Sequence, residues 1–201
     1  MRHFKRVPSN SRFCLFVMII YLFFASIAVA ADKVVVIPLF GDDTSECTCE
    51  GTLSSGKRWC DNGNGTVTDM TKCLVWLQKA DWGGTKPWRS NTEDDWDDAH
   101  SRAGMLYSGA PDANLSDGSV IGDWRLPTKT ELFGITTGDE DVTSSNMQLF
   151  TGVQSSRYWS STTQPSNPPW MAWLMLMSTG GVGIDYKGDY HYVWPVRDGN
   201  D

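Results

Sequence analysis

The sequence predicts an α+β domain, with two helices packed on a mostly antiparallel sheet and long loops between them. Three observations predict it. Two Ser/Thr-x-x-Glu boxes, Ser90 with Glu93 and Thr128 with Glu131, mark helix starts. Overlapping Asn-Gly pairs in Asp61-Asn62-Gly63-Asn64-Gly65 lie between short β-prone runs and supply the positive φ angles of a tight hairpin turn. From Trp170 onward, apolar runs alternate with the turn signals Gly180-Gly181 and Lys187-Gly188-Asp189. At 201 residues the chain holds one domain, at most with an ordered arm.

The first thirty residues read as a cleaved signal peptide. Nineteen uncharged residues, Phe13 to Ala31, follow the basic Arg2, Lys5, Arg6 and Arg12 and close in the small-x-small pattern Ala28-Val29-Ala30. As a helix those nineteen residues would span about 28 Å, enough to cross a bilayer, so a membrane partner follows only if the segment is retained as an anchor. Secretion or delivery to the periplasm is the expected localisation, with an N-terminal anchor facing the periplasm as the alternative.

Residues 31–56 form an N-terminal arm. It opens with Val34-Val35-Val36-Ile37-Pro38-Leu39, an edge-strand candidate, and turns polar around Asp42, Asp43 and Glu46. Strand, turn and strand follow between Trp59 and Leu77. A calcium-loop reading of the turn fails at the third and fifth positions counted from Asp61, where Gly63 and Gly65 offer no side-chain oxygen. No metal is therefore assigned.

The first helix is expected over residues 90–107. Glu93, Asp94 and Asp95 place negative charge at the positive end of its dipole, and Trp96, His100, Ala103 and Tyr107 recur at helical spacing. On this reading His100 sits at the edge of the core. The second helix starts at Thr128 behind Pro127, with Leu132 and Ile135 facing inward. Ser160 to Pro169 reads as a polar, proline-rich loop, and the strands Trp170–Met177, Val182–Tyr186 and Tyr190–Val196 as an antiparallel meander.

Charge narrows the partners. Residues 31–201 carry thirteen Lys and Arg against twenty-four Asp and Glu, a net of −11. Such a surface repels phosphate backbones, so nucleic acid is not expected as a partner. In an oxidising compartment Cys47, Cys49, Cys60 and Cys73 read as two disulfides. A Cys47–Cys49 bridge would close a strained ring, which leaves pairings that tie the 47–49 segment to the hairpin carrying Cys60 and Cys73. A zinc site is the alternative, but Cys47-Thr48-Cys49 spaces its ligands too closely.

Five ordered blocks then carry a resemblance. They are Asp61–Asp69 with Leu74-Val75-Trp76, Asp123-Trp124-Arg125-Leu126-Pro127-Thr128 with Glu131-Leu132, Tyr158–Thr162, Ala172-Trp173, and Tyr192-Val193-Trp194-Pro195-Val196-Arg197. Over about residues 57–198 the chain resembles the Lcl C-terminal domain family. The resemblance implies a C-type lectin-like architecture, and the Trp124 to Thr128 block is also similar to the helix start of formylglycine-generating enzymes. In that block Trp124 and Leu126 anchor a turn, Arg125 bridges to acids or backbone, and Thr128 caps the helix. Those roles speak for fold rather than function. Cys73 replaces a glycine common in relatives, and Trp194 stands where a basic residue is frequent. The relative for which the family is named is associated with adhesion to sulfated glycosaminoglycans, a task at odds with a net charge of −11.

The expected function is that of an exported, non-enzymatic binding module for a glycan or another cell-surface ligand, needing no cofactor. All ten Trp lie after residue 30, and aromatic faces stack on the C–H surfaces of sugars. Most indoles must be core. Trp170, beside the proline loop with Asn167 and Gln164, is the best exposed candidate, and Tyr190 joins it. A structural or assembly role in a bacterial envelope complex, with an envelope protein as partner, is the alternative. Enzyme readings find little support: no cysteine follows Cys73, the part after residue 30 has only His100 and His191, and no serine has a nucleophile elbow.

Overall fold

The computed structural model describes residues 47–89, 97–137, 149–165 and 169–199. The sequence-predicted signal peptide, the Val34–Leu39 strand, the Ser90–Glu93 box, Trp96 and Asn167 lie outside these residues. Ten strands and two helices follow one another as β1 (Thr52–Leu53), β2 (Trp59–Asp61), β3 (Thr66–Asp69), β4 (Leu74–Leu77), β5 (Thr85–Pro87), α1 (Ala99–Gly104), α2 (Lys129–Gly134), β6 (Arg157–Thr163), β7 (Met171–Leu176), β8 (Gly181–Tyr186), β9 (Tyr190–Tyr192) and β10 (Val196–Asp198). The class is α+β, as predicted. The strands form two sheets rather than one.

The first sheet, in the order β1-β2-β3-β4-β10, is antiparallel throughout. Its hairpin turn folds as the Asn-Gly pattern requires. Asp61 Oδ1 accepts from the Gly63 amide and Asn64 Oδ1 from the amide and hydroxyl of Thr66, so the loop's own donors take these oxygens. Gly65 holds a φ of +87°, and a Cβ there would come within 2.1 Å of the Asn114 carbonyl. Only glycine lets that neighbouring loop close on the turn.

Two disulfides secure this sheet: Cys47–Cys73, with Cα atoms 5.3 Å apart, and Cys49–Cys60, at 5.7 Å. They tie the 47–49 segment to the hairpin, as expected, and they belong to a protein that folds in an oxidising environment, extracellular or periplasmic. Among the described residues no helix is long and apolar enough to cross a membrane.

The second sheet has the order β5-β9-β6-β7-β8 and is antiparallel except where β9 runs parallel to β6. Here the sequence reading needs three corrections. Ser160 to Thr163 belong to β6 instead of a loop. Polar side chains hid the strand, but the Ser160 hydroxyl turns inward and donates to the Trp173 carbonyl at 2.8 Å. The meander stops at β8. Strand β9 crosses to lie between β5 and β6, and the chain leaves at Val193-Trp194-Pro195 to build β10 in the other sheet.

The third correction concerns α1. It runs from Ala99 to Gly104, capped by Asp98, whose Oδ1 accepts from the Ser101 amide at 2.8 Å. Tyr107 lies beyond it and is exposed. By contrast α2 forms as read: Thr128 accepts from the Glu131 amide while Glu131 reaches back to the Thr128 amide, and Leu132 is fully buried.

The core is aromatic. Trp59, Trp76, Trp124, Trp159 and Trp194 are all buried to within 1% exposure. Trp194 touches Trp76, Phe150 and Tyr158 at ring separations of 5.0 to 5.6 Å, and its indole N–H donates to the Leu77 carbonyl at 2.8 Å. An ionic cluster closes one side: Arg58 donates to Asp69 at 3.0 Å and to the carbonyls of Gly134 and Thr137 at the end of α2. Asp69 is 1% exposed, so removing its cation strands a buried charge. Arg58→Met should destabilise the domain by about 3 kcal/mol, read as a lowered urea midpoint at unchanged slope. Thr128→Ala should cost about 1 kcal/mol by the same measurement.

Candidate functional site

Of the ligand residues singled out from the sequence, Trp170, Gln164 and Tyr190 are described, and they lie near an unforeseen post, Trp88. This indole directly follows β5, is nearly buried, and donates from Nε1 to the Ser160 carbonyl of β6 at 2.7 Å. Its backbone amide donates to the Lys187 carbonyl in the β8–β9 turn, and the Lys187 amide donates to the Trp170 carbonyl, both at 2.9 Å. The Lys187 ammonium lies 4.0 Å from the Trp88 ring centroid and donates to Thr163 Oγ1 at 3.0 Å. His100, from α1, meets the Trp88 ring edge-on at 4.5 Å. Trp88 and Lys187 together thus tie the end of β5, strand β6, the start of β7, the β8–β9 turn and α1.

Trp170 and Gln164 flank this post, and Tyr190 pairs with Pro87 immediately before it. Trp170 is 65% exposed and Tyr190 66%, while Tyr186 at the end of β8 is exposed as well. Trp170 is the one exposed indole among the described residues; seven others are buried and Trp173 is half-buried under the Lys129 ammonium. Gln164 is held through its amide, which donates to the Met171 carbonyl at 2.9 Å. Its Oε1 and the Nε2 of His100 are buried without a hydrogen-bond partner. Unsatisfied buried polar atoms cost stability and are uncommon, which makes two of them beside an exposed aromatic surface informative.

The local charge runs against the domain. Arg89, Lys187 and His100 lie close enough to influence one another in a chain that is otherwise acidic. Burial lowers the His100 pKa, and Arg89 and Lys187 push it further down against the pull of Asp98. Burial, then Arg89, also lowers Lys187. Chemically this is an exposed aromatic ledge beside an ammonium.

Sequence reading missed Trp88, Thr163, His100 as a neighbour of the site, and Lys187. One signal was available: Lys187 is the only Lys or Arg between Arg157 and Arg197.

A second cluster lies nearby. Asp185 accepts from Arg157 at 3.0 Å, faces His191 Nε2 at 3.1 Å, and shares a hydrogen bond with Asp189. Burial opposes the Asp185 carboxylate, yet the bonds from Asp189, the Tyr186 amide and His191 outweigh it and hold the group below its ordinary range. Asp189 is raised, chiefly by that shared bond. Burial lowers His191, against the opposing pull of Asp185, and its ring packs 4.5 Å from Trp159.

Both histidines are therefore held neutral by the fold, with folded values below the ordinary 6.5. The unfolded chain takes up protons near 6.5 that the folded chain resists. Their contribution to stability is complete above 6.5 and falls as pH drops below it. The depressed Asp185 contributes above the ordinary carboxylate range and is lost only at lower pH. Urea unfolding at about pH 7.5 and about pH 5.5 should show lower stability at the acid end, and His100→Gln should reduce that difference.

A search among curated proteins finds no match to the chain. The description of the family that does match is the Lcl C-terminal domain, over residues 65–197, a span that holds the Trp88 post, both helices and every strand from β3 to β9. The chain belongs to the Lcl C-terminal domain family.

Proposed function

We propose that this protein is an exported, non-enzymatic binding module that holds a glycan or another cell-surface ligand on the aromatic ledge around Trp88. The observation that carries the reading is Trp170. An indole left 65% exposed, when seven others among the described residues are buried, has a use outside the core. Lys187, whose amide bonds the Trp170 carbonyl, offers a donor for hydroxyls, and the exposed Tyr190 is proposed as a second aromatic contact. Asn167, between Gln164 and Trp170 in sequence, belongs to the same proposed ligand set.

In this reading residues 1–30 act as a cleaved signal, residues 31–56 as an arm, and residues 57–198 as the binding domain, in a C-type lectin-like arrangement. The product is secreted or periplasmic. The disulfides support it, because they require an oxidising setting.

A second reading, an assembly component that binds an envelope protein, is favoured by a different surface. Met105, Tyr107, Val120 and Ile121 are all exposed, and the bonds from Gly122 N to Gly104 O and from Ser108 N to Ser119 O bring them together. Crosslinking in cells separates the two readings, since one stoichiometric protein partner would favour assembly.

Retention on a panel of immobilised glycans, with and without chelator, tests the main reading. Trp170→Ala should weaken retention about tenfold, equivalent to about 1.4 kcal/mol, while leaving stability within about 0.5 kcal/mol of the parent. No retention on any glycan, or retention indifferent to Trp170, would sink it.

A further inference from the structure

Sheet edges are sites where chains pair with one another, and proteins usually blunt them. Three of the four edges here are blunted. In the first sheet β1 has two residues and β10 three. In the second sheet β5 has three residues and carries Lys86 and Pro87. Strand β8 differs. It has six residues in unbroken register with β7, it contains no proline or lysine, and no strand among the described residues pairs with its outer edge.

The side chains of β8 follow the same logic. Val182, Ile184 and Tyr186 alternate along the strand, share one face and are 37%, 43% and 58% exposed. The other face carries two glycines and Asp185, whose charge Arg157 answers at 3.0 Å. The amide phase is set by the bond from Lys187 N to Trp170 O. By the two-residue alternation of an antiparallel pair, residues 181, 183 and 185 turn their amides toward β7. Val182, Ile184 and Tyr186 turn theirs to the open edge.

We propose that β8 pairs with β8 of a second copy of this chain, antiparallel, about a two-fold axis at Ile184. The strand's own pattern selects the occupant, since apolar residues meet apolar residues when it pairs with itself, and charge selects the register. With the axis at Ile184, Val182 lies opposite Tyr186 of the second copy and Ile184 opposite its counterpart. The strand's single charge, Asp185, then faces Gly183. All three open-edge residues exchange backbone hydrogen bonds in this register, and three apolar cross-strand pairs form on one face. An axis at Asp185 would set two carboxylates against each other. The pairing joins the two second sheets into one ten-stranded sheet and makes the assembly bivalent at its Trp88 posts.

The full chain, purified with its disulfides intact, provides the test. Light scattering behind size exclusion, from about 1 to about 100 μM, should give twice the chain mass at the upper end. Ile184→Lys should return the single-chain mass throughout, whereas Val120→Lys, on another exposed surface, should leave the dimer unchanged. Amide exchange guards against a misfolded variant. In the unmutated protein the Val182, Ile184 and Tyr186 amides should slow at least tenfold as concentration rises over that range. A single-chain mass at every concentration overturns the proposal. So does a dimer that survives Ile184→Lys, or protection of these amides that does not change with concentration, the sign of an edge covered by the chain itself.

Discussion

The structure depends on one buried indole at the point where the chain changes sheets. Trp194 lies between β9 of the second sheet and β10 of the first, donates to the Leu77 carbonyl of β4, and touches aromatic rings from both sides of the core. Few short segments can satisfy a backbone carbonyl, fill a large apolar volume and turn a corner together. Tryptophan does so because its large ring carries a single donor. The position is fully buried, so a basic residue there would be a poor replacement in this chain.

Local chemistry made much of the fold legible. The Thr128–Glu131 box, the Asn-Gly hairpin and the disulfide framework are short-range devices, and each formed as read. The failures are long-range or degenerate. The described part of the first helix is capped by Asp98, the last of several acids after the expected start at Ser90, which lies outside the described residues. The polar run Ser160–Thr163 becomes strand because it pairs with β7 and is held by bonds to the Trp173 and Pro127 carbonyls, and no periodicity announces that. Strand β9 joins β5 and β6 through contacts between residues far apart in sequence, so its neighbours could not be read from its own composition.

The candidate site divides the same way. Exposure of Trp170 and Tyr190 followed from their positions beside a proline loop and a turn. Trp88 and Lys187 escaped notice because their roles arise only when β5, β6 and the β8–β9 turn converge. Their convergence also changes the electrostatics. A domain of net charge −11 over residues 31–201 gathers three basic groups around one indole, and burial keeps the histidine among them uncharged. The site is thus less acidic than the molecule that carries it, and its ligand preferences need not follow the overall charge.

Strand β10 has a consequence for the entropy of folding. It is the last strand among the described residues, yet it pairs with β4 more than a hundred residues earlier, and the Trp194 segment before it fills the centre of the core. The hairpin of β2 and β3 and the crosslink between Cys49 and Cys60 require only nearby residues. The β4–β10 pairing therefore closes a far longer loop than the hairpin or its crosslink does, and it carries the larger share of the entropic cost of ordering the first sheet.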